Sequence, residues 1–366
     1  MIEGHLENKR SFYRREMKVL VLMDMPLFPY RIYAYNGLAE RGYDLTVVSL
    51  SNEEQQFDLS LRFKHIRLRK KKCGPFIRIE GFSELELKNF DVIIIAPNLR
   101  VLDFYQLYNC KYWHKLIGWG HHKGRTTGNK LAEIFRFWFF KKFRALVFYD
   151  YETPKEYIAH GFDKSKLFVA NNTQYVELSK VNLNNSRDSF IYVGRIQDRK
   201  LINMAIEAFA LFREKNPNSE VCFKVCGGGN AETLKLLVER LHIVDWVKFT
   251  GSVYGEENLA KIFNSAYAYV SPCQVGLGVL HSMAFGVHGI TCKDVKQGLE
   301  FYNCKPDNSF VVDFNKEAIA DAMSRIYNDA ELHKSMSSKA HNYYKEYCTI
   351  DKMVDGVDDA IKHLSK

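Results

Sequence analysis

The sequence predicts an α/β protein built from two Rossmann-like layers in tandem. Three observations carry that prediction. Apolar runs of strand length alternate with helix-length segments along nearly the whole chain, the pattern of parallel sheets covered on both faces. At 366 residues the chain is too long for one ordinary core. A polar stretch without period at residues 176–188, VELSKVNLNNSRD, divides the alternation in two. The organisation is then an N-terminal extension (1–17), an N-terminal layer (18–175), a linker (176–188), a C-terminal layer (189–348) and a closing helix (349–366).

In the first layer KVLVLM is the opening strand, residues 31–41 form a helix closed by Gly42, and DLTVVSL is the second strand. Residues 63–68, DVIIIA at 91–96, KLIGWG at 115–120 and ALVFY at 145–149 read as further strands, and KLFVANNT at 166–173 closes the layer. The second layer starts with SFIYVG and continues through a helix at 202–215, EVCFKVC, a helix at 231–241, WVKFTG and a helix at 256–265. A strand at 267–271, ended by Pro272, leads to a helix that opens at Gly276 and runs to about Phe285, and HGITC follows. Helices at about 315–328, 331–346 and 350–364 finish the pattern. No solenoid-length repeat or low-complexity tract interrupts it.

With 46% hydrophobic and 14% aromatic residues there is ample material for a core, which excludes a disordered chain. The net charge of +9 is uneven: residues 1–175 carry +10 and residues 176–366 carry −1. An anionic membrane surface, a phosphate-bearing acceptor or nucleic acid would suit the basic half. No nucleic-acid recognition motif accompanies the charge, so the last is set aside. The eight cysteines are scattered without C-x-x-C or zinc-ligand spacing, as in a reduced, cytoplasmic protein. No apolar run reaches spanning length, and the first 17 residues are polar and basic, unlike a signal peptide.

Two basic features remain open. Arg67, Arg69, Lys70, Lys71 and Lys72 form a charge run, and LAEIFRFWFFKKFRAL at 131–146 mixes aromatics with Arg136, Lys141, Lys142 and Arg144. The preferred account is a solvated loop and a core helix, since the aromatics circle the helix too fully to leave one clean face. The alternative is an interfacial surface making a peripheral contact with the inner face of the cell membrane.

Strand, short loop and glycine-opened helix at Gly276, Leu277 and Gly278 make an anion site: the first amides of a helix lack intrahelical partners and carry partial positive charge. The competing account is an ordinary βα turn. Gly194 and Arg195 follow the strand SFIYV, and Lys200 lies at the entry to the next helix, so both cations reach the edge where Gly276 presents its amides. A planar fork and a mobile point charge suit a diphosphate, whereas a solvated Arg-Lys pair is the plainer account. Gly227, Gly228, Gly229 and Asn230 follow the strand EVCFKVC, either letting backbone approach a ribose or base or making a tight turn. No G-x-G-x-x-G stands here or after the first strand, which argues against a dinucleotide cofactor.

Taken together, the GR(x4)K of Gly194, Arg195 and Lys200, the GGGN turn, VKFTG and SPCQVGLGVLHSMAFG resemble the donor-site motifs of family 4 retaining glycosyltransferases. These have the GT-B fold: two Rossmann-like domains facing across a cleft, with a C-terminal helix returning to the N-terminal domain. The segment is most similar to the branch found in bacterial polysaccharide and capsule clusters. It departs from the family at the E-x7-E signature, where Cys273 and His281 stand.

The resemblance implies that Arg195 and Lys200 hold the diphosphate, with the Gly276 and Leu277 amides adding to it. His281 then stands where a ribose hydroxyl is met, or else is a packed helix histidine. Gln274, or Glu300 in KQGLEF, takes over from the missing carboxylate. His121, in GWGHHKG, is similar to the N-domain histidine that meets the donor sugar; a metal reading of His121 and His122 lacks a third ligand. The chain has no D-x-D triplet, Asp150, Tyr151 and Glu152 being nearest, so metal-independent transfer is expected. The implied substrates are a nucleoside diphosphate-sugar, UDP favoured and GDP a rival, and a glycan or lipid-linked glycan acceptor, with no cofactor. A catalytically silent nucleotide-sugar binder is the alternative.

Overall fold

A computed structural model describes residues 16–108, 111–120 and 130–365. The chain divides into two compact units, Met1–Ile117 and Gly118–Lys366.

In the first unit β1 (Met17–Leu22), α1 (Pro29–Glu40) and β2 (Tyr43–Leu50) form a parallel βαβ start, with Met17 opposite Tyr43. Pro29 opens α1, where a missing N–H is harmless, and Gly42 at φ +86° ends it. β3 (Lys64–Leu68) pairs parallel with β2. The expected solvated loop at the basic run is instead a two-stranded antiparallel hairpin of β4 (Lys70–Cys73) and β5 (Phe76–Ile79). Gly74, at φ +58°, turns it. β6 (Val92–Ile95) is buried along its whole length.

The larger unit holds most of β7 (Leu116–Gly120), then α2 (Lys130–Phe140), β8 (Ala145–Phe148), α3 (Thr153–Ala159) and β9 (Leu167–Val169). The first sheet runs in the order β3-β2-β1-β6-β7-β8-β9. On α2, Phe137, Phe139 and Phe140 are buried whereas Ile134, Phe135 and Trp138 are 64%, 50% and 55% exposed, so the aromatics leave one apolar outer face after all.

The second sheet follows the linker. It consists of β10 (Ser189–Val193), β11 (Cys222–Cys226), β12 (Val247–Gly251), β13 (Ala266–Val270), β14 (His288–Cys292) and β15 (Ser309–Val312), all parallel, in the order β12-β11-β10-β13-β14-β15. Between these strands run α4 (Ile202–Lys215), α5 (Glu232–Arg240), α6 (Glu256–Asn264) and α7 (Leu277–Ala284). After them come α8 (Lys316–Asn328), α9 (Ala330–Tyr347) and α10 (Ile350–Leu364). One core lies under α4, α5 and α8, and another under α6, α7 and α9, as two-face coverage requires.

α10 packs on β8 and β9, so the closing helix returns to the first sheet. Gly356 makes this approach: a Cβ there would stand 1.9 Å from the Val169 carbonyl oxygen. Among the described residues no helix is long and apolar enough to cross a membrane.

Candidate active site

The site grows from the C-terminal edge of the second sheet, where β10 and β13 end beside each other. Beyond β10 the chain turns at Gly194, whose N–H donates to the Cys226 carbonyl (2.9 Å), and the Tyr192 hydroxyl donates to the Arg195 carbonyl (2.9 Å). Gly227 abuts this turn so closely that a Cβ would fall 1.8 Å from the Gly194 carbonyl oxygen, and one on Gly229 would fall 2.6 Å from that of Ile196. These glycines therefore fit the two loops to each other. Asn230 turns its Oδ1 to the Glu232 amide (2.9 Å) and shapes the entry to α5.

Asp198–Lys200 make a single 3₁₀ turn, and Leu201, left-handed at φ +51°, redirects the chain into α4. Lys200 consequently points back across the sheet edge. Its Nζ donates to the Gln274 carbonyl and lies 3.5 Å from where a Gly276 Cβ would be. Arg199 donates to the Gln274 side-chain oxygen, and Gln274 is itself left-handed at φ +48°. Non-glycine residues in that region cost free energy and recur at functional sites. Gly276 is the N-cap of α7, without side-chain cap; the Val279 N–H donates to its carbonyl (3.1 Å), whereas the Leu277 and Gly278 amides that open the helix have no intrahelical acceptor. Gly278 seats this turn: a Cβ there would come within 2.7 Å of both the Tyr269 hydroxyl and the Val193 carbonyl oxygen. The loop is braced from behind by Gln297, whose Oε1 accepts the Val275 N–H (3.0 Å).

Burial, then the neighbouring Arg199, lowers the Lys200 ammonium from its ordinary pKa; Glu300 and Cys273 oppose this and Arg195 adds to it. Three cations thus crowd one edge, with Glu300 the carboxylate facing them. Such a cluster favours an arriving polyanion. Glu300 is fixed by Asn172, whose Nδ2 donates to it at 2.6 Å. The Cys273 thiol, raised by burial, donates to the Lys296 carbonyl (3.1 Å), which leaves it a packing group.

His281 is 3% exposed, its ring stacked on Phe263 with centroids 4.4 Å apart. Gln174 bonds its Nδ1, its Nε2 has no partner, and burial lowers its pKa to about 3, so the ring is neutral. Of the two roles open for it, this placement matches the packed histidine. The structure brings Lys200, Gln274, Gly276 and Glu300 together, with Gly194 and Arg195 beside them and Leu277 opening the helix. His121 lies outside the described residues. Arg199, Asn172 and Gln174 were not foreseen; Arg199 adjoins Lys200 and was legible as a third cation, whereas the other two act through contacts more than 100 residues apart. Among the described residues no cluster of three His, Cys, Asp or Glu side chains could hold a metal ion.

Residues 176–343 match the family model described as glycosyl transferases group 1. No curated protein matches the chain in sequence. Among solved structures it is similar to a glycosyltransferase from Rickettsia africae (TM-score 0.71, 12% identity, covering 96% of this chain and 99% of that one). It is also similar to the pneumococcal O-GlcNAc transferase GtfA, solved with UDP and GlcNAc (TM-score 0.69, 10% identity, 96% and 99%). A third is WaaG, a glycosyltransferase involved in lipopolysaccharide biosynthesis (TM-score 0.61, 13% identity, 93% and 99%). The fold is therefore GT-B, with two Rossmann-like layers.

Proposed function

We propose that this protein is a retaining, metal-independent hexosyltransferase that moves a sugar from a nucleoside diphosphate donor to a hydroxyl of a glycan or lipid-linked glycan in bacterial surface polysaccharide synthesis. The observation that carries the reading is Lys200 Nζ poised 3.5 Å from the Cβ position of Gly276, at the open end of α7. As the bond from C1 of the sugar to the diphosphate oxygen breaks, negative charge gathers on the leaving group. Arg195, Lys200 and the α7 amides stabilise it, the task a divalent cation performs elsewhere. The acceptor hydroxyl attacks from the same face and passes its proton to a leaving phosphate oxygen. Glu300, held by Asn172, receives donor-sugar hydroxyls in place of the carboxylate lost at Cys273.

In this reading residues 189–348 bind the donor and residues 18–175 the acceptor. UDP is favoured over GDP, in keeping with the UDP held by the pneumococcal neighbour. The chain works in the cytoplasm, at the inner face of the membrane, where the outer face of α2 meets lipid. There Lys142 lies 3.6 Å over the Trp138 ring, a pairing suited to anionic headgroups.

A thermal-shift panel of UDP, GDP and their sugars tests the donor: a ligand at about 100 times its Kd stabilises by about 2.7 kcal/mol. The competing reading, a silent nucleotide-sugar binder, draws on Cys273 and His281, neither of which offers a carboxylate. Donor binding with neither hydrolysis nor transfer to any acceptor would establish it.

A further inference from the structure

The opposite edge of the second sheet holds a cavity of about 550 Å³. Of its lining residues Arg187 stands just before β10 and Tyr267 near the start of β13, so the cavity lies at the N-terminal ends of these strands, away from Lys200 and Gly276. α9 supplies His333, Lys334 and Ser337 to its wall. No carboxylate lines it among the described residues.

The guanidinium of Arg187 is held at one end only. Its Nη1 donates to the Phe263 and Asn264 carbonyls (3.1 and 2.9 Å) at the C-terminal end of α6, which fixes the plane of the group. Its Nε and Nη2 are buried and have no partner. Those two atoms form one edge of the guanidinium, the pair of parallel N–H donors that grips a carboxylate or phosphate in bidentate fashion. In the same lining the Ser337 hydroxyl and His333 Nε2 are also buried and unpartnered. The His288 and His333 rings stand 5.7 Å apart, and His333 lies 5.4 Å from the Tyr267 ring. Buried polar atoms without partners are uncommon because each loses its hydration uncompensated. Four such atoms on three lining residues, all donors or amphoteric groups, call for an acceptor.

We propose that this cavity is a binding site for a small oxyanion, a phosphate or carboxylate group, gripped by the Nε and Nη2 edge of Arg187 with Ser337 and His333 completing its shell. Lys334 at the mouth draws the charge in. The site is separate from the donor clamp and does not depend on the chemistry there.

The test is anion titration of the full chain followed by thermal shift and calorimetry, with inorganic phosphate, malonate and sodium chloride at matched ionic strength. Phosphate or malonate should raise Tm saturably above chloride, and the stronger of the two identifies the chemical source. Arg187→Gln should weaken the apparent Kd at least tenfold, and Lys200→Ala should leave it within twofold. Should Arg187→Gln lose its fold by circular dichroism, His333→Gln replaces it and should weaken binding at least threefold. A response no greater than that to chloride, one unchanged in the pocket variants, or one abolished by Lys200→Ala overturns the proposal.

Discussion

Asn172 donates a 2.6 Å hydrogen bond to the carboxylate of Glu300, joining the end of the first sheet to the 3₁₀ turn that faces Lys200. The two are 128 residues apart in sequence, and the bond sets where the carboxylate points. Asn172→Ala should lower kcat/KM about tenfold, the loss of one hydrogen bond to a charged group, and Glu300→Gln by more. Steady-state kinetics with the donor found by the thermal-shift panel check both, and unchanged rates would remove Glu300 from the site.

Lys200→Ala should lower kcat by roughly 10²- to 10³-fold with the fold intact, as removal of one transition-state donor does elsewhere. Arg195→Ala should follow it. Arg199→Ala, which releases the Gln197 and Gln274 side chains, should cost about tenfold. Wild-type turnover in the first two would refute the clamp.

Acid should destabilise the fold well before its carboxylates titrate. His281 and His333 have pKa values lowered by burial to about 3 and about 4, and His288 is lowered too. In the unfolded chain each returns to about 6.5. Between these values the unfolded state binds more protons, so stability present above pH 6.5 is lost as pH falls. His281 and His333 should each contribute a loss of roughly 1–2 kcal/mol between pH 6.5 and 5, and His288 a loss of the same sign. Denaturant melts across that range, in wild type and His281→Phe, measure it; a flat wild-type profile would contradict the burial.

Gly356→Ala should destabilise by about 3 kcal/mol or more, because its Cβ would meet backbone, which cannot step aside. Urea midpoints give the value.

On α2, Trp138→Ala and Phe135→Ser should leave Tm nearly unchanged, since both side chains are half exposed. Both should reduce cosedimentation with vesicles of phosphatidylglycerol and phosphatidylethanolamine. Equal binding by wild type and variants would dismiss α2 as the contact.

The parallel strands were legible because burial on both faces leaves an uninterrupted apolar run, as in the VIII of β6 or the AYAYV of β13. The β4–β5 hairpin was not, since KKKC carries no alternating apolar signal and its pairing rests on the turn at Gly74. The candidate site was half visible. Arg195, Lys200 and Gly276 sit at fixed offsets from strand ends, whereas the bracing of Glu300 by Asn172 and of His281 by Gln174 depends on how distant segments meet.

The packing of α10 on β8 and β9 bears on how the chain matures at the ribosome. Gly356 seats against Val169, and the residues between them take roughly 10–40 s to synthesise. Throughout that interval one side of these strands stays uncovered, so residues 18–175 expressed alone should aggregate, and co-expression of residues 349–366 should rescue them.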